Sequence, residues 1–479
     1  SYSNYLLVAE EIAQWSADRN FAPALNCASF NQDCADQFMT NLAPDIFRRP
    51  LTSDEIDMYQ EMANGSYTNG DVKLGMQMAL EGMLSAPQFL YRHELGEANP
   101  ANSALDADAF ELTSYEMATF LAYTFTGSTP DQTLLNAAAR DELRTEAQIV
   151  QQAQRLAGDA KLVMSDFVGS WLGTAELEIA AKDPVAWPGF SDLVPHLKDE
   201  INETFAHIML EPTEQFASLY AGDYTFLNET LARHYGINGV TGNDMQQVST
   251  TDRGGILANG AFMARWGESV ESSPILRSVR VRRRMLCQEQ PDPPAGTFAA
   301  REVKLAELSS FLQDPATTNR LKYHRLTEDV PCTSCHLQYI NPLGFGMEDF
   351  DTVGRIRTHD LNGNTVDASG TLYAPLKYSH VNESEPFMGS HGLGSVLSGL
   401  SSAQRCLPKQ LFRYFVGIGH QEINSANPDG TQLRDDEKTG YACAVDDLTD
   451  AMLNQNPRTM LEAFGSLDVI RYRKAWSRQ

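Results

Sequence analysis

The sequence lacks long apolar segments and is poor in basic residues. No apolar run approaches the roughly 18 residues that a membrane-spanning helix needs, so we expect no such helix. The chain of 479 residues has 37 Lys and Arg against 63 Asp and Glu, which gives a formal net charge of -26 at pH 7. A nucleic-acid-binding face needs clustered Lys and Arg, and the charge therefore argues against nucleic acid as a partner. The basic run Arg280–Arg284 lies beside apolar residues at helical spacing, and we assign it a local structural role.

Motifs of several common enzyme classes are also missing. The chain has no Gly-x-Ser-x-Gly sequence of the kind that places a nucleophilic serine, and no glycine-rich phosphate-binding loop. Asp360, Asn362 and Asn364 alternate as in a calcium loop, but the bidentate Glu that ends an EF-hand loop is absent. Asn362–Gly363 lies between two short β-prone pieces and instead predicts a hairpin turn.

The pattern that remains is helical. Apolar residues recur at intervals of three and four through several segments of the first half, and some of these segments open with a capping Ser, Thr or Asp. The segments are Tyr5–Trp15, Asp54–Ala63, Val72–Leu84, Ser114–Tyr123 and Glu146–Leu156. Thr52 followed by Glu55 predicts a capping box. We therefore predict a mainly α fold with a packed multi-helix body over residues 1–290.

Prolines mark the main predicted boundary. The stretch Gln290–Gly296 holds three prolines, which prevent a helix and favour an extended linker. The chain length indicates roughly two to four domains. We predict an N-terminal helical domain over residues 1–100, a central helical domain over 101–290, a segment over 291–400 that carries the Cys-x-x-Cys-His motif, and a C-terminal helical domain over 401–479.

The sequence Cys332–His336 reads Cys-Thr-Ser-Cys-His. On a helix start, two cysteines three apart present their sulfurs to the vinyl groups of a haem, and the adjacent His turns its ring toward the iron. A thioredoxin-like redox pair needs a βαβ setting and a zinc site needs more Cys or His nearby, and the flanking sequence offers neither. A chance occurrence is the third alternative. We predict one covalent haem c, attached through Cys332 and Cys335, with His336 as an iron ligand.

The sequence leaves the surroundings of the iron open. Pro342 follows the motif closely, and we expect a carbonyl near it to accept the Nδ1–H of His336 and so orient the ring. Met388 is the best-placed thioether for the sixth iron ligand, although an ordinary loop or core methionine fits the same sequence. The alternatives are His391, His380, Met347 and an open position.

The chain has seven cysteines. If haem takes two, five remain, and at least one of them is free or pairs between chains. Cys27 and Cys34 flank a short polar loop that a disulfide closes easily. We predict Cys406 and Cys443 as a second pair, which leaves Cys287 unassigned. Disulfides and haem attachment both predict a periplasmic or extracellular protein.

Short sequences along nearly the whole chain resemble the planctomycete-type multi-domain c-type cytochromes, a family built from domains of unknown function. The sequences that carry the resemblance are Phe47–Thr52, Pro87–Arg92, Leu112–Ala118, Tyr224–Glu229, Leu231–Gly236, Pro342–Phe345, Glu348–Asp351, Gly354–Arg357, Asp367–Gly370 and Ile470–Arg473. The resemblance implies export and haem attachment, and it adds Arg357 to the predicted haem-binding residues. Members generally have a further N-terminal domain, and we expect this chain to start after it.

Members often have a His ahead of a Ser-Pro pair. In this chain Met263–Gly267 precedes Ser273–Pro274, and we predict no haem ligand there. The predicted architecture is the multi-helix body followed by a cytochrome c-like haem domain with a short β-hairpin.

Three functions fit these features. The first is electron transfer by a single-haem c-type cytochrome with a protein redox partner, which the lack of a recognisable catalytic acid–base set favours. The second is a haem peroxidase or oxidase with an open distal site. The third is a haem-bearing structural subunit of a larger extracytoplasmic complex.

Overall fold

The computed structural model describes residues 2–98, 109–288, 293–373, 384–418 and 433–474. Helices dominate and the strands are short, which confirms the mainly α fold. Contacts divide the chain into two compact units, Ser1–Leu156 with Gly465–Gln479, and Ala157–Phe464. The division into four segments predicted from the sequence is finer than this division into two units and stays a prediction. The first residues of the proline-rich linker lie outside the described ranges.

The helices follow one another through both units. In chain order they are α1 Tyr2–Asp18, α2 Gln32–Gln37, α3 Ala43–Phe47, α4 Ser53–Ala63, α5 Val72–Ser85, α6 Pro87–Leu90, α7 Ser114–Thr126, α8 Gln132–Ala139, α9 Glu146–Ala157, α10 Lys161–Leu172, α11 Phe190–Leu210, α12 Ser218–Ala221, α13 Glu229–Tyr235, α14 Gly260–Arg265, α15 Pro274–Arg280, α16 Thr297–Glu307, α17 Ser309–Gln313, α18 Asn319–Thr327, α19 Thr333–Cys335, α20 Asn341–Phe345, α21 Gly389–Gly399, α22 Ser401–Val416, α23 Asp435–Asn454, α24 Pro457–Ala463 and α25 Asp468–Arg471. Short π-helical turns cover Phe38–Leu42, Val281–Met285 and His336–Ile340, and 3-10 turns cover Thr174–Ile179 and Phe464–Ser466.

The strands form small antiparallel sheets. They are β1 Glu97–Ala98, β2 Ala109–Glu111, β3 Tyr224–Leu227, β4 Gln246–Ser249, β5 Ser369–Tyr373, β6 Ser384–Met388 and β7 Tyr472–Lys474. Their order is β1-β2-β7 in the first unit and β3-β4 and β5-β6 in the second.

The five helices predicted for the first half are all present, as α1, α4, α5, α7 and α9. Thr52 and Glu55 form the predicted capping box, in which each side chain accepts a hydrogen bond from the backbone of the other residue. In the first unit, α1 and α4 both pack against α5. The core between them includes Phe38, Met76 and Met83, none of which is exposed to solvent.

The core of the second unit surrounds α11, which packs against α10 and α14. Phe167 and Trp171 of α10 stack with ring centroids 5.5 Å apart, and Phe205 of α11 contacts both rings. Glu200, also on α11, is completely buried and accepts hydrogen bonds from Thr225 and Tyr235. Aromatic packing and a satisfied buried carboxyl thus fix the helix that runs through the centre of this unit.

The predicted turn at Asn362–Gly363 forms, but without strands on either side. The Val366 N–H donates to the Thr358 carbonyl, and His359 and Thr365 form an isolated antiparallel β-bridge. The two-stranded hairpin lies further along the chain, where β5 pairs with β6.

One of the two predicted disulfides is confirmed and the other is wrong. Cys27 and Cys34 are bonded as predicted, with Cα atoms 5.6 Å apart. Cys406 pairs with Cys287 and not with Cys443. The reason is packing: α22 lies against the π-helical turn that precedes Cys287, and the buried Cys406 side chain faces that turn. Cys443 is exposed on α23 and keeps a free thiol.

Candidate functional site

The Cys-x-x-Cys-His sequence lies at the start of a continuous helical run. Cys332 comes directly before α19, the π-helical turn follows at His336–Ile340, and α20 continues the run. The Cys332 carbonyl accepts hydrogen bonds from the N–H groups of Cys335 and His336, at 3.2 and 3.0 Å. This closes the first turn, so Cys332 lies one turn before Cys335 and His336.

Both cysteines of the motif are free thiols. Cys332 and Cys335 are half-buried and are not bonded to each other, whereas Cys27, Cys34, Cys287 and Cys406 form disulfides. The motif therefore offers two reduced sulfur atoms within one helical turn, in a chain whose remaining cysteines, apart from the exposed thiol on α23, are oxidised.

The His336 ring is held by a side chain that sequence reasoning missed. Its Nδ1 lies 3.0 Å from Oδ1 of Asn341, which replaces the carbonyl that we expected near Pro342. The π-helical turn explains the contact, since residues five apart lie one above the other in this geometry. Burial lowers the pKa of the His336 imidazole, although the Asn341 hydrogen bond opposes that shift. A neutral ring is the form that binds a metal.

Asn341 is itself buried, with 1% of its surface exposed. Its Nδ2 donates to the Thr327 hydroxyl at 2.8 Å, and the Thr327 hydroxyl donates to the Tyr323 carbonyl at 2.7 Å. The motif is thereby joined to α18 by a chain of side-chain hydrogen bonds.

Two of the predicted haem-binding residues line one cavity, of about 560 Å³. The residues around it are Arg320, Pro342, Ser369, Gly370, Thr371, Pro386, Phe387 and Met388. The structure thus brings Pro342 of α20 together with Met388 of β6, whose side chain is 67% exposed. The volume lies within the usual range of small-molecule and cofactor sites. Cys332 and His336 are not among the residues that line this cavity.

Close packing of an aromatic ring forms one wall of the cavity. The Phe387 ring lies against Gly346 and Gly370, where an added Cβ would come within 2.1 and 2.3 Å of ring atoms. Only glycine at these two positions allows β5 and α20 to approach the ring this closely.

Arg320 is a cavity residue that the sequence did not indicate. Its guanidinium donates to the Ser369 carbonyl at 2.7 Å and lies 4.7 Å from the centre of the Phe345 ring. It belongs to α18, ahead of the motif, and no spacing rule links it to Cys332–His336. The cavity therefore carries a cation beside its apolar wall.

Arg357 lies in a network of ion pairs and hydrogen bonds. Its side chain is 8% exposed and pairs with Glu271 at 2.8 Å and with Glu348 at 3.2 Å, and it also donates to the Ser272 hydroxyl. These bonds join the segment after the motif to the loop before α15. The bonds give Arg357 a structural role, and its role in haem binding stays a prediction.

The alternative sixth ligands are spread over the unit. Met347 is fully buried, and its carbonyl accepts a hydrogen bond from Arg277. His391 is half-buried on α21. His380 lies outside the described residues.

Two buried arginines donate hydrogen bonds to backbone carbonyls in the helical run of the motif and in the segment that follows it. Arg277 donates to the Met347 carbonyl and to three other carbonyls, and Arg282 donates to the Tyr339 carbonyl and stacks 3.5 Å above the Tyr339 ring. Burial lowers the pKa of both guanidinium groups to about 10, so both stay charged at neutral pH. Arg282 has the local structural role that we predicted for the basic run.

Within the described ranges, no three His, Cys, Asp or Glu side chains come together as a metal site, and no helix there is long and apolar enough to cross a bilayer. The first finding does not bear on haem, because haem iron takes only one or two ligands from the protein.

Fold and site together define a mainly α, disulfide-bonded protein whose Cys-x-x-Cys-His segment is helical and has free thiols. Three stretches match family models: residues 34–94 match PSD5 (protein of unknown function, DUF1595), residues 112–237 match PSD4 (protein of unknown function, DUF1592) and residues 253–360 match PSCyt3 (protein of unknown function, DUF1588). These are planctomycete cytochrome-type multi-domain families, in agreement with the sequence resemblance. No curated protein and no solved structure matches the chain.

Proposed function

We propose that this protein is a single-haem c-type cytochrome that transfers electrons outside the cytoplasm. One observation carries the proposal: the free thiols of Cys332 and Cys335 lie one helical turn apart, and the second directly precedes His336, whose ring makes its one hydrogen bond to the described residues through Nδ1. Covalent haem c needs this set of groups, two thiols and an imidazole whose Nε2 is available to iron. The residues present therefore fit the cofactor.

Each cysteine would form a thioether. The thiols of Cys332 and Cys335 would each add across one vinyl group, so that a C–S bond would form, the vinyl double bond would become a single bond and the thiol hydrogen would move to the other vinyl carbon. Bound haem would supply a one-electron iron couple, and Nε2 of His336 would bind the iron. Met388 remains our proposed sixth ligand.

The setting of the motif supports the proposal. The match to PSCyt3 spans residues 253–360 and includes the motif, and the name of that family points to a cytochrome-like domain. Disulfides at Cys27–Cys34 and Cys287–Cys406 fit an oxidising compartment such as the periplasm or the extracellular space. The net charge of -26 favours a redox partner protein with a basic face.

A haem peroxidase or oxidase is the second candidate, and the cavity favours it. The space of about 560 Å³ beside Pro342 has room for a small molecule, and Arg320 supplies a cation there. For this function the cavity would lie on the distal side of the haem. The Met388 side chain is exposed, and its movement away from the iron would leave the sixth position open to a substrate.

The test is the mass and the visible spectrum of the full chain, exported from a host that attaches haem c. We expect the mass of the polypeptide plus one haem, and a pyridine haemochrome spectrum of two thioether bonds. Cys332→Ser is expected to lose one thioether bond, and Cys443→Ser, the matched control on α23, to lose none. A bare polypeptide mass would overturn the proposal.

Spin state and turnover then separate the two candidates. A low-spin reduced spectrum without peroxide turnover supports electron transfer. A high-spin spectrum, with peroxide turnover well above that of free haem, supports the enzyme.

A further inference from the structure

We infer that Asn341 is a positioning residue that fixes the tautomer of the His336 ring and, on the basis of the proposed function, sets the reduction potential of the iron. It directly follows the π-helical turn that begins at His336, and its Oδ1 lies 3.0 Å from Nδ1 of His336.

The directions of these hydrogen bonds follow from the backbone carbonyl of Tyr323, at the far end of the series from His336. The Tyr323 carbonyl can only accept, so the Thr327 hydroxyl, at 2.7 Å, donates its proton to it. The same hydroxyl oxygen must then accept at its other contact, and the group 2.8 Å away is the amide NH₂ of Asn341. The oxygen of that amide therefore faces His336, and the ring proton is on Nδ1.

The consequence for His336 lies at the other ring nitrogen. With the proton on Nδ1, Nε2 carries a lone pair and can bind a metal without first losing a proton. The ring needs no change of tautomer when a metal arrives, and its orientation is fixed by the same bond.

Burial strengthens this control. Asn341 is 1% exposed and Thr327 6%, so water does not replace a bond that is lost. Hydrogen bonds in such a dry setting also act more strongly on the electron density of their partners.

The charge of the group that accepts the hydrogen bond from Nδ1 determines whether the reduction potential of the iron rises or falls. An amide oxygen is neutral and withdraws the Nδ1 proton only weakly, so His336 remains an ordinary imidazole. A carboxylate at position 341 would pull that proton harder, make the ring more basic and stabilise ferric iron. Asn341 therefore keeps the potential higher than an acidic residue would.

The first experiment measures the reduction potential of the full haem-bearing chain in two variants. Asn341→Asp keeps the shape of the side chain and is expected to lower the potential, with about a tenfold shift of the equilibrium toward ferric haem, or about 59 mV. Asn341→Leu removes the acceptor and is expected to raise the potential. Shifts of opposite sign are not produced by a general loosening of the fold. Equal signs, or no shift, would overturn the inference.

The second experiment does not depend on haem. In the full chain with Cys332→Ser and Cys335→Ser, ¹⁵N NMR of His336 is expected to show the Nδ1–H tautomer. Thr327→Val, close in shape, releases the amide of Asn341 and is expected to give a mixture of tautomers. An Nε2–H ring in the parent chain would overturn the inference. Absence of haem from the exported protein would instead overturn the proposed function and leave the tautomer result standing.

Discussion

Replacing Arg277 by Met is expected to destabilise the fold by about 4 kcal/mol. The guanidinium is fully buried and donates to the carbonyls of Met263, Met347, Phe350 and Asp351, at 3.0, 2.7, 2.8 and 2.7 Å. Met fills a similar volume but offers no donor, so four buried acceptors lose their partner. Each costs about 1–3 kcal/mol. We take the lower end, because removal of a buried charge also relieves its desolvation cost.

Arg233→Met is the matched control. Arg233 of α13 lies in the same unit and pairs with Glu229 at 2.8 Å, but both side chains are exposed, at 74% and 46%, and water can replace the ion pair. Such pairs contribute about 0–1 kcal/mol. The same substitution at this position should therefore have a small effect.

Urea unfolding followed by tryptophan fluorescence measures the difference. Trp171, Trp187 and Trp266 are all buried in the unit Ala157–Phe464 and report on its unfolding. If Arg277→Met lowers the free energy of unfolding no more than Arg233→Met, the four carbonyl bonds do not stabilise this segment, and the reasoning is refuted.

Two further predictions concern the disulfides and the sixth ligand. The Cys287–Cys406 bond closes a loop with a sequence separation of 119 residues, and replacing both cysteines by Ala is expected to cost about 5 kcal/mol of stability. The Cys27–Cys34 bond closes a loop with a separation of only 7 residues, and the same replacement there is expected to cost about 2–3 kcal/mol. Equal losses in urea unfolding would contradict this difference. Met388→Ala is expected to change a low-spin haem spectrum to a high-spin one with little loss of stability, since the side chain is 67% exposed, and an unchanged spectrum would exclude it as a ligand.

Features set by nearby residues could be predicted from the sequence. The apolar spacing in α4 and its capping box depend on residues within one or two turns, and the Cys27–Cys34 bond spans a sequence separation of 7 residues. The helix predicted over Val72–Leu84 is α5, which ends one residue later at Ser85. Local pattern gives an element and leaves its ends uncertain by a residue or two.

Features set by packing could not be predicted. The partner of Cys406 lies at a sequence separation of 119 residues and is chosen by the way α22 packs, which no spacing rule contains. Asn341 was missed for a subtler reason. In an α-helix, residues five apart do not share a face, so no helical pattern pairs Asn341 with His336, and the π-helical turn brings them together.

The buried arginines show why the supports of the motif leave little trace in the sequence. Arg277 and Arg282 bond to backbone carbonyls of the run that follows the motif, and carbonyls are present whatever the side chains are. No acidic partner therefore marks these positions. Lysine could not replace either residue, because a single ammonium lacks the planar, five-donor geometry that reaches several carbonyls at once. Since the bonds from Asn341 to the His336 ring and to Thr327 need no cofactor, the proposed ligand would already be oriented before haem attachment, and we would expect little structural change on binding.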